Sequence, residues 1–219
     1  MISTEDLSRF AYDGNKDRLE QDVQNLKKQG LILQREIEAR NCPKLRVLSL
    51  TKDGKQLLRH QNCAAKNQAL YDDFLKPKEL AHDAELFRLY QKVASEIERS
   101  GGTVRRVVPD YELKEELYRD LTKMDSTKNQ DQERERTASR HGLKVVDGTI
   151  PIPDPRIEYE TDARTIEHID LEFATREYRS QGMASKVRAG FHLFARAQDM
   201  PRLRRVLSEQ ELTTRIFAL

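Results

Sequence analysis

The chain has 219 residues, enough for one larger domain or two small ones, and either arrangement can bury a hydrophobic core. Charged residues make up 35% and hydrophobic residues 37% of the sequence, a balance that excludes an intrinsically disordered chain. The formal net charge of +2 divides into +3 over residues 1–60, −5 over 61–179 and +4 over 180–219, and basic ends suit contact with a polyanion.

The first 60 residues predict a short helix, a turn, a longer helix, two strands and a further helix. Ser3 is the expected N-cap of the first helix, because acidic residues fill the turn that follows it. Apolar residues at helical spacing predict the second helix over residues 15–29. The runs LILQREIEA and KLRVLSL predict strands joined by RNCP, and Thr51 is the expected N-cap of the third helix. The order of these elements is that of a winged helix-turn-helix.

This region resembles the winged-helix DNA-binding domains of bacterial regulators and plasmid proteins. Their pattern runs from a short helix through a polar recognition helix and L-x-x-x-G-L-I to a wing and L-T-x-x-G. The chain supplies residues 26–32 and then Leu50, Thr51 and Gly54 in that order. It departs from the pattern in one respect, because the further helix that usually comes before the short one is not in this sequence. The resemblance implies a DNA-binding domain with a trailing helix over residues 1–76.

The second helix carries polar and basic side chains of the kind that contact base edges in a major groove. Basic residues of the wing suit contact with backbone phosphate. Acidic residues on the same helix weaken the attraction to phosphate, so a purely structural helix is the alternative interpretation. The residues predicted to contact DNA are Asn15, Lys16, Arg18, Gln21, Gln24, Asn25, Lys28, Arg40, Lys44 and Arg46.

The remainder of the chain, residues 77–219, predicts a mixed α/β domain. It begins with a strong helix over residues 82–99, a strand in TVRRVV and a helix in PDYELKEELYRDLTKM. The segment DSTKNQDQERERTASRHG has almost no apolar residues and predicts a mobile loop or a solvated helix. A mobile or helical insertion is therefore expected at about residues 111–141.

Strands are expected on both sides of an Asp147-Gly148 turn, in LKVVDGTIPIPDPRIEYE, and again in TIEHIDLEFAT. The apolar residues of SQGMASKVRAGFHLFARA predict one helix throughout that segment. Ser208 and Glu211 have the spacing of a capping box, which predicts a short final helix.

Two of these strands concentrate carboxylates. Alternate residues of a strand share a face, so Asp170 and Glu172 point the same way, opposite an apolar face. If the preceding strand pairs with this one, Asp154 joins them. Like charges that face each other cost about 0.2–1 kcal/mol per pair unless something neutralises them. Two interpretations stay open: a solvated sheet face with Arg156 and Lys186 as partners, or a Mg²⁺ site.

The order of elements is similar to that of the PD-(D/E)xK nucleases, the restriction-endonuclease-like superfamily. That order is a helix with an acid, a strand, a strand with P-D, a strand with two acids two residues apart, and a helix. The resemblance places Asp154 at the P-D step and Glu85 on the first helix. Asp170 and Glu172 occupy the ends of the (D/E)-x-K tripeptide. Its third position therefore holds Glu172 instead of lysine, and Lys186 of the following helix is the candidate to supply the amine.

The resemblance implies that Mg²⁺ or Mn²⁺ is held by Asp154, Asp170 and Glu85, and that a DNA phosphodiester is hydrolysed. The whole chain is similar to replication-relaxation proteins of plasmids and mobile elements, in which a winged helix precedes a nuclease-like domain. The residues that the resemblance assigns to catalysis are Glu85, Asp154, Asp170, Glu172 and Lys186.

The expected fold is therefore an N-terminal winged helix followed by a restriction-endonuclease-like mixed sheet with flanking helices. The leading function is that of a DNA-binding protein with metal-dependent cleavage. Its alternative is a non-catalytic regulator or replication accessory protein that uses the nuclease-like fold for dimerisation or DNA grip, and the glutamate in place of lysine favours this. A third hypothesis is an adaptor that binds proteins through the winged helix.

Double-stranded DNA is the expected partner, and a homodimer is compatible with the sequence. The two cysteines, Cys42 and Cys63, are too few for a disulfide framework or a thiolate zinc site. The N-terminal residues lack the apolar core of a signal peptide, and no run approaches 18 apolar residues. We therefore expect a cytoplasmic protein that does not bind membranes.

Overall fold

The computed structural model shows a mixed α/β protein, with eight helices and two sheets in the residues that it describes. The chain divides into two compact units, Met1–Ser95 and Glu96–Leu219. The domain boundary expected at residues 76 and 77 lies outside the described residues. The described residues are 1–37, 44–61, 68–74, 80–123, 130–175, 178–212, 214 and 216–219.

The first unit contains a three-stranded antiparallel sheet in the order β1-β3-β2. The two helices α1 and α2 come between the first and second strands of this sheet in the sequence. The elements are β1 (Ile2–Ser3), α1 (Thr4–Ala11), α2 (Lys16–Lys28), β2 (Ile32–Ile37), β3 (Leu45–Leu50), α3 (Lys52–His60) and α4 (Leu80–Arg99), the last of which continues into the second unit.

Side-chain caps fix the starts of the first three helices. The Ser3 hydroxyl accepts the backbone N–H of Asp6, and the Thr51 hydroxyl accepts that of Gly54, each at 3.0 Å. Both caps confirm the sequence prediction. Gly54 also has a packing role, because a Cβ there would overlap the carbonyl oxygen of Leu31. The glycine therefore lets α3 lie directly against the turn before β2.

The second unit is built on a five-stranded mixed sheet in the order β4-β5-β6-β7-β8. The pairs β4–β5 and β5–β6 are antiparallel, whereas β6–β7 and β7–β8 are parallel. The elements are β4 (Thr103–Pro109), α5 (Asp110–Leu121), α6 (Gln130–Arg140), β5 (Pro155–Glu160), β6 (Ile166–Phe173), α7 (Ser180–Ala189), β7 (His192–Ala195), α8 (Met200–Glu209) and β8 (Ile216–Ala218).

Apolar side chains cover this sheet, and Ile157 and Leu171 in its centre are fully buried. The polar segment before residue 141 contains the helix α6, of which Thr137 and Ala138 are buried while most other side chains are at least partly exposed. This agrees with the solvated-helix alternative. The Asp147-Gly148 turn is confirmed, although only a single bridge from Val146 to Thr149 flanks it.

Two helix predictions near the C-terminus are wrong. Helix α7 ends at Gly190, whose φ of 95° is in the left-handed region, and the chain then enters the strand β7. Ser208 lies in the last turn of α8 and does not begin a new helix. Glu211 has a positive φ of 54°, and the chain continues to β8 instead of a final helix. The strand β7 pairs in parallel with β6, and β8 pairs in parallel with β7. Local periodicity does not reveal such pairing.

Among the helices of the described residues, none combines the length and the apolar character needed to cross a membrane.

Candidate functional site

The candidate site lies where β5 and β6 pair in the second unit. Asp154, just before β5, donates its backbone N–H to the carbonyl oxygen of Leu171 at 3.0 Å. Its carboxylate accepts the backbone N–H of Phe173 at 2.8 Å. These two bonds place Asp154 beside Glu172 of β6. The predicted proximity of these two carboxylates is therefore confirmed.

Asp170 lies directly opposite Arg156 in the β5–β6 register. The guanidinium donates from Nε to Oδ1 at 2.6 Å and from Nη2 to Oδ2 at 2.8 Å, which is a bidentate ion pair. It also donates to the carbonyl oxygens of His141 and Gly142, at the turn after α6. Asp170 is thus neutralised by an arginine that also fastens this turn to the sheet.

The expected solvated sheet face is therefore wrong in one respect. Arg156 does neutralise an acid, as that interpretation proposed, but its side chain is only 7% exposed and that of Asp170 only 10%. The segment that includes α5 and α6 supplies the cover over this part of the face, through the turn that Arg156 binds. Arg156 is therefore buried on the face that was expected to be solvated, and alternation along a strand does not reveal such burial.

Glu172 is almost completely buried, with 1% of its surface exposed. One carboxylate oxygen accepts a hydrogen bond from Nζ of Lys186 at 2.6 Å, and the other accepts one from the hydroxyl of Tyr178. Lys186 also donates to the carbonyl oxygen of Ile152. We call Asp154, Glu172, Tyr178 and Lys186 the Glu172 cluster. The expected proximity of Lys186 to Glu172 is confirmed, whereas its catalytic role stays a prediction.

Burial raises the pKa of Glu172 to about 7, and the neighbouring charge of Asp154 acts in the same direction. Lys186 and Tyr178 oppose the shift, because their hydrogen bonds favour the carboxylate. The pKa of Tyr178 is raised by burial and by the adjacent Glu172. The sequence interpretation did not include Tyr178, since nothing in the pattern distinguishes it from the other tyrosines.

Glu85 lies on α4 in the first unit and is next to Arg88, with Oε1 and Nη1 3.4 Å apart. Arg88 donates from Nε to Asp6 at 2.7 Å, and Asp6 in turn is hydrogen-bonded to Ser3. The described contacts of Glu85 therefore belong to an ion-pair network of the first unit. Arg88 and Asp6 were not identified from the sequence, because long-range pairs leave no local pattern.

The carboxylates predicted to bind Mg²⁺ already have protein donors. Asp170 has an arginine on both oxygens, Asp154 has a backbone N–H on one oxygen, and Glu85 is next to Arg88. Glu172, which the resemblance assigns to catalysis and not to the metal, has Tyr178 and Lys186. Within the part of the chain that the structure describes, no group of three or more His, Cys, Asp or Glu side chains is arranged to hold a metal ion. The described contacts give no support to the predicted Mg²⁺ site, which stays a prediction.

The side chains predicted to contact DNA along α2 are exposed, from its N-cap to its last residue. The wing residue Arg46 is half-exposed and pairs with Glu20 of α2 at 2.9 Å. Lys44 is exposed, and Arg40 lies outside the described residues. The exposed residues of this set on and before α2 are Asn15, Lys16, Arg18, Gln21, Gln24, Asn25 and Lys28.

No known protein guides the interpretation of this geometry. Comparisons with protein-family models, with curated proteins and with solved structures gave no match. The functional proposal therefore rests on the residues and contacts of the two units.

Proposed function

We propose that the chain is a DNA-binding protein of a plasmid or mobile element, with a winged-helix first unit and a nuclease-like second unit that does not cleave DNA. The observation that carries the proposal is the exposed polar face of α2 beside a sheet of order β1-β3-β2. The second unit then serves as a frame that grips DNA or joins two copies of the chain.

The topology of the first unit supports a winged helix. In that fold, a strand before the helix-turn-helix pairs with the last strand of the wing, and the first wing strand takes the outer position. Here β1 pairs with β3, and β2 pairs with the other side of β3. The helix α2 buries Leu19 and Val23 against Leu48 of β3, which leaves its polar face to solvent. A recognition helix needs this division between an apolar and a polar face.

The topology of the second unit supports the nuclease-like assignment. From α4, of which only the C-terminal end belongs to this unit, the chain order is a helix, three antiparallel strands, a helix and a parallel strand, with α5 and α6 inserted between the first two strands. Asp154 precedes the middle strand, as the P-D step of the resemblance requires. The carboxylates, however, are held by Arg156, Tyr178 and Lys186, and this occupation supports the non-catalytic alternative.

Replacing Arg18 and Lys28 of α2 by Ala is expected to weaken binding to a random-sequence DNA duplex roughly tenfold at moderate salt. Both side chains are exposed on α2, and each contact with a phosphate releases counterions. The slope of log K against log salt should fall by about 2, one for each lost phosphate contact. Fluorescence anisotropy with a labelled duplex, repeated over a salt series, measures both quantities.

The matched control is Arg59→Ala, an exposed arginine in the last turn of α3, which should leave affinity and slope unchanged. Equal weakening by the control would show that α2 is not the DNA-binding surface. A wild-type protein that retains no duplex even at low salt would refute the proposal and favour the protein-binding adaptor.

Plasmid DNA incubated with the wild-type protein and Mg²⁺ or Mn²⁺ is expected to stay supercoiled. The physical reason is that Arg156 occupies both oxygens of Asp170, and Tyr178 and Lys186 donate to both oxygens of Glu172, so these two carboxylates are already bonded to protein donors. Agarose gels of supercoiled and nicked plasmid measure the result, with the Asp154→Ala protein assayed beside the wild type. Nicking by the wild type that Asp154→Ala abolishes would replace the non-catalytic proposal with metal-dependent cleavage, and DNA binding would stand.

A further inference from the structure

An open groove lies between α7 and α8 in the second unit, with a volume of about 850 Å³. The turn at Asp147 borders one side, and Tyr178 lies at the start of the other. We call it the α7–α8 groove. Polar side chains supply most of its lining, among them Ser180, Gln181 and Ser185 of α7. The DNA-binding surface of α2 belongs to the first unit, so this groove is a separate feature.

Two arginines line the groove, Arg179 before α7 and Arg202 on α8, and both are exposed. Within the described residues, neither guanidinium group forms an ion pair. One of the two acids in the lining, Asp147, is paired with Arg188 at 2.8 Å, which leaves Glu209 as the acid without a described ion pair. The groove thus offers two available guanidinium groups against one carboxylate.

Hydroxyl and amide donors accompany these charges. Ser180, Gln181 and Ser185 are on the first two turns of α7, and the N-cap residue Arg179 makes no side-chain capping bond. Guanidinium groups with nearby hydroxyl and amide donors match the oxygens of a phosphodiester. Val206 and Tyr178 are the lining residues with large apolar side-chain surface, and the groove is open, whereas sites for small organic molecules are enclosed.

We propose that the α7–α8 groove binds the phosphate backbone of DNA, as a contact additional to that of α2. This inference rests on the proposed function, since it assigns a second surface to the same partner. The groove extends over more space than one phosphate group fills, so it accommodates a short stretch of backbone. The hydroxyl of Tyr178 reaches Glu172, so the bound backbone lies next to the Glu172 cluster.

The test compares Arg179→Ala and Arg202→Ala with Arg205→Ala in the full-length protein. Arg205 is an exposed arginine of the same helix α8 but does not line the groove. Each of the two lining variants should weaken binding to a random-sequence duplex roughly fivefold and lower the salt slope by about 1, while the control stays at the wild-type value. Glu209→Gln should strengthen binding about twofold, because it removes the remaining acid of the lining.

The outcomes separate this inference from the proposed function. If the lining variants match Arg205→Ala while the α2 variants lose affinity, the groove inference is overturned and the proposed function stands. If the wild type binds no DNA, both are overturned. A third arm measures ³¹P line broadening of inorganic phosphate. Loss of that broadening in Arg202→Ala with unchanged DNA affinity would assign the groove to a small phosphorylated molecule and overturn the DNA assignment.

Discussion

Replacing Arg156 by Ala is expected to lower the free energy of unfolding of the second unit by about 3–5 kcal/mol. The substitution removes both hydrogen-bond donors of Asp170, whose side chain is 10% exposed and would be left as a buried charge with only His168 Nε2 nearby, at 3.9 Å. It also leaves the carbonyl oxygens of His141 and Gly142 without their donor. Urea denaturation at neutral pH, followed by far-UV circular dichroism, measures the loss. Hydrogen exchange of the amides in β5 and β6 assigns it to the second unit.

Arg105→Ala is the matched control for this prediction. Arg105 lies on the neighbouring strand β4 and, like Arg156, pairs with a carboxylate, that of Glu160. Its side chain, however, is 54% exposed. An exposed ion pair contributes at most about 1 kcal/mol, so the control should cost far less than Arg156→Ala. The double variant Arg156→Met/Asp170→Leu should recover much of the lost stability, because it leaves no buried charge. Equal losses of unfolding free energy for Arg156→Ala and Arg105→Ala would contradict a stabilising role of the buried ion pair between Arg156 and Asp170.

Stability is expected to fall as the pH rises through the range in which Glu172 titrates. The folded pKa of about 7 exceeds the ordinary glutamate value of 4.5, so between these pH values the folded state binds more protons than the unfolded state. The contribution of Glu172 is therefore fully present below pH 4.5 and lost as the pH rises through about 7. The total change is about 3 kcal/mol, from 1.36 kcal/mol per pKa unit.

The measurement is the difference in unfolding free energy between the wild type and Glu172→Gln over this pH range. Glutamine keeps groups that hydrogen-bond Tyr178 and Lys186 but does not titrate, so the other ionisable groups cancel in the difference. The wild type should lose stability relative to the variant as the pH rises. Glu167→Gln, an exposed position on the same strand, should give a curve parallel to that of the wild type. A difference for Glu172→Gln that does not vary with pH would refute the burial argument.

The local features of the fold were predictable, because they depend on residues close together in the sequence. Capping at Ser3 and Thr51 and the turn at Asp147 all follow from side-chain chemistry within a few residues. The common face of Asp170 and Glu172 follows from strand alternation. The structure confirms each of these local features.

The partners of the carboxylates were not predictable in the same way. Strand alternation predicted that Asp154 and Glu172 lie close together, and the resemblance predicted Lys186 as a further member of the site. Neither indicated that Arg156 would bind both oxygens of Asp170. That pairing requires the register of β5 against β6 and the cover from the insertion. Tyr178 is likewise brought to Glu172 by the path of the chain after β6 and by no motif.

The strand β7 shows why a helix was predicted in its place. Phe191 and Phe194 are three residues apart, which fits a helix face after Met183 and Val187, and both are buried as the helix prediction required. The glycine at residue 190 ends the helix, and the edge of β6 then accepts the following residues as a parallel strand. The burial was thus predicted correctly, while the backbone conformation depended on pairing with β6, as in the pair Leu171 and His192, which are far apart in the sequence.

The contact between Gly54 and Leu31 changes what the L-T-x-x-G pattern diagnoses. The glycine is needed because α3 approaches the carbonyl oxygen of Leu31 too closely for any side chain. Any protein in which a helix packs this tightly on the turn before a two-stranded ribbon would select the same glycine, whatever molecule it binds. The pattern is therefore a marker of close packing, and searches for DNA-binding relatives gain more from the polar positions of α2 than from this motif.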